Sequence, residues 1–204
     1  MKFINLKSKI PGVLLLIFVW SISFVPSSFA QKNIYGTFGA PEIKFTKLLD
    51  QNAAILGGRW GWVINKQFVL GAGVYALVGG VNTNVIDPIS NEQVAVNFNY
   101  GGLELEYILL AEKVVHGSID LLIAGAGTYF SVPDQSKPHT SYYTQSFTLY
   151  EPQLNLEFNI FKWLHLTSGV SYRIITGFEN YLPGITALNL EGLSGTLTFK
   201  FGSY

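Results

Sequence analysis

From about residue 35 onward the sequence keeps to one pattern: stretches of roughly ten residues in which polar and apolar side chains alternate, rich in aromatics and separated by turn formers. Alternation with a period of two commits a segment to a strand with two unlike faces. A long succession of such segments is how a transmembrane β-barrel reads.

The first thirty residues follow a different rule. Lys2, Lys7 and Lys9 precede an almost unbroken apolar run from Val13 to Val25, and Ser28-Phe29-Ala30 puts small residues at the two positions a signal peptidase inspects. Residues 1–30 therefore read as a secretory signal peptide, cleaved before Gln31, and residues 31–204 as the mature domain. The apolar run is shorter than the ~20 residues that span a bilayer and ends at Pro26, which argues against a permanent anchor. The chain has no cysteine, which excludes a lipid-anchored lipoprotein, a disulfide framework and thiolate chemistry.

Composition separates membrane from soluble readings. Charged residues make up 13% of the chain, about half the share of a soluble domain, while aromatics reach 15%. No mature segment is continuously apolar over the length of a helical span, so a membrane location requires a closed sheet. All 13 acidic residues but only 10 of the 13 basic ones follow residue 30, a net charge of −3 that offers nothing to nucleic acid.

Eight candidate strands follow from the periodicity: Tyr35–Leu48, Ala53–Ile64, Phe68–Val81, Phe98–Ala111, Ile119–Ser131, Phe147–Phe161, Leu164–Thr176 and Gly192–Gly202. Their connections alternate in length. Asn65-Lys66-Gln67, Glu112–Ser118 and Lys162-Trp163 are short, whereas Asn82–Asn97, Val132–Ser146 and Gly177–Glu191 are long and carry Pro, Asn, Ser and Gly. Outer-membrane barrels place short turns in the periplasm and long loops outside; only the first outside loop, Leu49–Asn52, departs from this by being short.

The faces are clearest in the strands predicted to return toward the periplasm. Leu103, Leu105, Tyr107 and Leu109 alternate with Glu104, Glu106 and Ile108, and Leu154, Leu156, Phe158 and Ile160 with Asn155, Glu157 and Asn159. In the last strand Leu197, Phe199 and Phe201 oppose Thr196, Thr198 and Lys200. Trp60, Trp62, Trp163 and Phe201 are predicted to lie near the periplasmic boundary, as an interfacial aromatic girdle. The third and fifth strands are apolar or glycine-rich on both faces, which leaves their orientation open. Leu70–Tyr75 is echoed by Ala124–Tyr129 and more loosely by Ser168–Tyr172, all in strands predicted to run outward, as expected of repeated hairpins.

Continued around the sheet, the polar parity puts Glu42, Lys44, Arg59, Glu104, Glu106, Glu157, Arg173 and Lys200 on one face, four acidic and four basic. An eight-stranded barrel is just wide enough for its own side chains, and charges removed from water must be paired. These residues predict an ion-pair network that plugs the lumen rather than a pore.

Other apparent motifs dissolve. Gly71–Ala76 fits a dinucleotide fingerprint, but Gly79-Gly80 and Asn82-Thr83-Asn84 follow where a helix would have to begin. His116, His139 and His165 are predicted in a periplasmic turn, an outside loop and a strand start, and are not expected to meet at a metal. His139-Thr140-Ser141 places a histidine and a serine in an outside loop, as some barrel enzymes do, but has no orienting carboxylate nearby in sequence. No catalytic residue, cofactor or metal is expected.

The strand count, the leader and the aromatic-rich closing strand resemble the small outer-membrane β-barrels of the OmpX and OmpA-barrel type, over the whole mature chain. Gly57–Asn65 followed by Val69–Tyr75 is similar, more narrowly, to outer-membrane barrel proteins of the Bacteroidota. The resemblance implies a fold and a location in a Gram-negative cell envelope, with outer-membrane lipid and the barrel-insertion machinery as partners, and no activity. Such barrels usually end in an aromatic in register with the lipid face; Phe199 and Phe201 are in register and Tyr204 is not, which a bulge at Gly202 would correct.

The expected architecture is thus all-β, a single eight-stranded antiparallel up-and-down transmembrane barrel in the outer membrane. It would be structural or engaged in surface interaction, its long loops open to an extracellular ligand. Alternation alone leaves one rival, a secreted or periplasmic lipocalin-like barrel that turns its apolar face inward around a hydrophobic ligand.

Overall fold

The computed structural model describes residues 34–86, 93–131, 141–179 and 186–203. The predicted leader, the loop residues Ser90, Lys137, His139 and Tyr181, and the closing Tyr204 lie outside the described residues. Nine strands run in chain order: β1 Ile34–Leu48, β2 Gln51–Ile64, β3 Phe68–Leu77, β4 Val81–Ile86, β5 Gln93–Leu109, β6 Val115–Ser131, β7 Ser141–Phe161, β8 Leu164–Thr176 and β9 Gly192–Ser203. Every pairing is antiparallel, β1 pairs with β9, and pairing of β3 with β5 closes the sheet on itself. β3 and β4 pair in turn with the same strand, β5, and so are two halves of one stave. The wall is an eight-stave up-and-down barrel.

The break between β3 and β4 falls at Gly79 and Gly80, whose φ of +76° and +67° only glycine adopts without a steric penalty. Leu48 pairs with Gln51 across a two-residue turn, and Ile64 with Phe68 across the three residues Asn65-Lys66-Gln67. Leu49-Asp50 and Asn65-Lys66 have positive φ at both positions, the type I′ geometry whose twist matches that of paired strands. Leu49 is an unusual residue for this conformation, and its N–H is tied to the Asn189 carbonyl of a short 3₁₀ turn at 3.0 Å.

Several strands outrun the alternation that predicts them. β5 begins at Gln93 rather than Phe98, β6 at Val115 rather than Ile119 and β7 at Ser141 rather than Phe147, while the third predicted strand breaks and resumes as β4. The predicted loop Asn82–Asn97 therefore contains β4 and the start of β5. The ladder continues past the apolar stretch, with Ala95 opposite Ser131 and Ser131 opposite Ser141. There β7 carries Ser, Tyr, Thr and Gln and β5 carries Gln, Val, Ala, Val and Asn, whose backbones pair as well as any but whose side chains show no clear apolar–polar period; β6 gains Val115–Ser118 at its other end. β1 and β9 keep one register from Thr37 opposite Ser203 to Thr46 opposite Ser194, so Gly202 makes no bulge. A Cβ there would collide with the Thr37 carbonyl and with Phe38 Cα and Cβ on the neighbouring strand.

Strand parity sorts side chains into two walls. Val74, Leu103, Leu154, Val170 and Leu193 are all more than half exposed on the outside, while their neighbours Tyr75, Glu104, Asn155, Ser171 and Ser194 are buried inside. The two strands left open by periodicity resolve: β3 turns Val69, Gly71, Gly73 and Tyr75 inward, and β6 turns Asp120, Leu122, Ala124 and Ala126 inward. The sequence echo consequently does not mark equivalent faces, since Gly71 and Gly73 point inward while Gly125 and Gly127, their counterparts, point outward. All three copies do stand on staves running in the same direction, but they contribute different walls.

Candidate functional site: the barrel interior

The interior is layered along the axis. Nearest the end where β1 begins and β9 ends, called the terminal end, Phe38, Ala40, Val63, Val69 and Ile108 form a small apolar cluster on the β1, β2, β3 and β5 side. The opposite end, where the long connections leave, is filled by a larger one built around Leu48, Ile55, Val96, Phe98, Phe147 and Leu149. Charged side chains occupy the layer between. Parity explains the layers: successive inward residues of β5 are Val96, Phe98, Tyr100, Gly102, Glu104, Glu106 and Ile108. The interior is therefore filled, but its loop half is apolar and not polar as the strand-by-strand reading expects.

All eight charges singled out by parity are buried. Arg59 on β2 is the hub. Its Nη2 lies 2.8 Å from Glu106 and 2.9 Å from Asp120, its Nε 2.9 Å from Glu104, and its Nη1 4.0 Å from Glu42. Lys200 bridges Glu157 at 2.6 Å and Glu106 at 2.9 Å. Lys44 meets Glu151 at 2.7 Å and Glu42 at 3.4 Å, and sits 3.9 Å above the centre of the Tyr75 ring. Arg173 instead bonds neutral oxygens: Ser194 Oγ at 2.5 Å, Thr46 Oγ1 at 2.7 Å and the Leu190 carbonyl at 3.2 Å.

Two carboxylates in this layer were missed by the parity reading. Glu151 shares the inward parity of Asn155 and Glu157 on β7, so continuing the alternation four residues further finds it. Asp120 lies on β6, where both faces are apolar or small and its charge was the sole hint. Among the described residues the interior therefore holds six buried carboxylates rather than four. The histidines also correct an expectation. His116 Nε2 and His165 Nδ1 converge on Glu157 Oε1 at 3.4 and 3.6 Å, because β6 and β8 flank β7. The described residues contain no group of three or more side chains arranged to hold a metal.

The four aromatics assigned to a girdle stand on the outer wall toward the terminal end, between 40% and 56% exposed. Trp60 and Trp62 meet edge to face at 4.1 Å, and Trp163 stacks between Phe161 at 5.6 Å and Phe201 at 6.3 Å.

A closed wall, apolar outside and charged within, defines a small eight-stranded β-barrel of the membrane type. No family model and no curated protein matches the sequence. Among solved structures the chain is similar to the N-terminal β-barrel domain of OprF from Pseudomonas aeruginosa, with 10% identity, 84% of this chain and 99% of that one covered, and a TM-score of 0.54. It is likewise similar to the neisserial surface protein NspA, with 8% identity, 85% and 98% coverage, and a TM-score of 0.55. At such identities what is shared is the barrel fold.

Proposed function

We propose that this chain is an integral outer-membrane barrel with a filled interior, serving a structural or surface-interaction role and neither conducting nor catalytic. The observation that carries the reading is the inversion of the two walls. Apolar side chains face outward around the barrel while Lys44, Arg59, Glu106, Glu157 and Lys200 are almost wholly enclosed. Water would penalise such an exterior and lipid would not. A lipocalin-like barrel needs the opposite arrangement, an apolar inner wall around a ligand, and the charged middle layer is incompatible with it.

Surface interaction is supported at the loop end. β7 extends past β8, its pairing partner there ending at Thr176 opposite Thr148, so Ser141–Phe147 rises with β6, β5 and β4 above the rest of the rim. An extended partner segment or an extracellular ligand would find backbone and loops there. Residues 1–30 direct export and are removed, and the aromatic pair Phe199 and Phe201 serves recognition by the insertion machinery. The likeness of residues 57–75 to barrels of the Bacteroidota supports a Gram-negative source of that group.

Membrane fractionation with gel mobility measured before and after boiling tests the reading. The folded barrel is expected in the outer-membrane fraction and to migrate faster unboiled. Solubility without detergent after removal of residues 1–30 would overturn it.

A further inference from the structure

Among the described residues the interior encloses two more carboxylates than Lys and Arg side chains. Charge taken out of water must be balanced nearby, and a carboxylate that lacks a partner neutralises by taking up a proton. The shortage is local. Arg173 bonds neutral oxygens, Lys44 is taken by Glu151 and Glu42, and Lys200 by Glu157 and Glu106. Glu104 and Asp120 have Arg59 alone, and Arg59 also serves Glu106.

Hydrogen bonding points to the same place. Asp120 Oδ1 is shut off from solvent with no partner, and Asp120 Oδ2 and Glu104 Oε2 have only Arg59, at 2.9 Å each and outside hydrogen-bond geometry. Tyr75 on β3 is a second, independent sign: it is 3% exposed and its hydroxyl hydrogen-bonds to nothing. That hydroxyl lies over the inner face of Gly73, where a Cβ would meet it at 3.1 Å, and Gly73 is the strand partner of Arg59. The groups facing the pair are thus Glu42 and Lys44 from β1, Arg59 from β2, Tyr75 from β3 and Glu106 from β5. One step along the chain of contacts come Glu157 from β7 and Lys200 from β9.

One run of charged contacts reaches the terminal end. From Asp120 the charged contacts run through Arg59, Glu106, Lys200 and Glu157 to His116 and His165. The two imidazoles line a cavity of about 340 Å³ at the terminal end, together with the turn residues Lys66 and Glu112. Toward the loop end β5, β6 and β7 turn Phe98, Leu122, Ala124, Ala126 and Phe147 inward, and their buried polar groups there, Thr128 and Gln145, are uncharged.

We propose that Glu104 and Asp120 form a proton-binding site in the barrel centre, sharing a bound proton at neutral pH and exchanging it with solvent through the two histidines at the terminal end. The bound proton supplies the donor that these oxygens lack, and Tyr75 stands beside it as the adjoining hydroxyl. The site holds whichever compartment the terminal end faces, so it stands or falls separately from the membrane location.

Infrared spectroscopy of the folded protein in lipid vesicles at neutral pH tests it. The wild type is expected to show the carbonyl band of a protonated carboxyl, shifting on transfer to heavy water, and Asp120→Asn and Glu104→Gln are each expected to lose it. A wild type without the band, or a band that survives both substitutions, would overturn the site. The chain has no cysteine, so access is read from single introduced thiols in the barrel. Ser118→Cys, inward on the histidine side, is expected to be labelled by a small methanethiosulfonate reagent, and Ala126→Cys, inward in the apolar half, is not. Labelling of Ala126→Cys at the rate of Ser118→Cys would overturn one-ended access.

Discussion

Arg59 shows how little redundancy the interior has, since four carboxylates lie within 4.0 Å of its guanidinium. Removing it leaves several enclosed carboxylates without a counter-charge, and breaking a buried pair in this way costs about 3–5 kcal/mol. Arg59→Ala is therefore expected to lower the urea midpoint of folding in lipid well below that of the wild type; an unchanged midpoint would mean that the cluster contributes nothing to stability. The outer wall sets a contrasting case. Leu105→Arg puts a charge into lipid, a cost of roughly 2–4 kcal/mol in barrels. Asn155→Ala, on the inner wall, breaks the hydrogen bonds from Gln153 Nε2 at 2.7 Å and to Ser118 Oγ at 3.3 Å, for about 1 kcal/mol. Parity alone would have made Asn155→Ala nearly free, because alternation reports which wall a residue joins and says nothing of its partners. For the same reason the eight charges were legible one strand at a time, whereas the meeting of His116, Glu157 and His165 depends on three neighbouring staves and was not.

At the scale of the strands, the sequence announces apolar alternation and the fold continues beyond it. Strand cores such as Leu103–Leu109 and Leu154–Ile160 were legible because lipid on one side and charge on the other force a period of two. The ends of β5 and β7 toward the loops were not, because their residues there carry no clear apolar–polar period, and neither was the start of β6, Val115-His116-Gly117-Ser118, at the opposite end. The break in the third stave was visible as Gly79-Gly80, yet these glycines were read inside the strand Phe68–Val81, with the loop beginning at Asn82; the backbone breaks at them and then resumes pairing with β5 at Val81 opposite Val96. Gly80→Val is expected to cost about 1–2 kcal/mol, because a side chain in the left-handed region meets its own backbone. Loss should concentrate in β4: in hydrogen exchange, β4 and the start of β5 would lose protection while β8 and β9 keep theirs. Uniform loss across all staves would show that the break is part of one rigid wall.

For the molecule as a whole, the decisive question is whether anything passes through it. An ion entering from the terminal end reaches His116, His165 and Glu157, and then a layer in which Lys200, Arg59 and Lys44 already hold the carboxylates. Beyond that layer it would meet stacked rings, Tyr75 on Tyr100 at 4.9 Å and Phe98 on Phe147 at 6.0 Å, within a cluster that also contains Leu122, Leu149 and Leu190. An ion shedding its water among these rings gains no counter-charge, and desolvation without compensation costs several kcal/mol or more. The apolar half is thus a second barrier, independent of the ion pairs, and neutralising one carboxylate should not open a path. Purified protein in a planar bilayer is accordingly expected to show no steady channel, and Glu106→Gln, which loosens the charged layer but leaves the rings in place, none either. Steady conductance by the wild type would overturn the filled-barrel reading and point to transport, whereas conductance by Glu106→Gln alone would show that the ion pairs by themselves close the barrel.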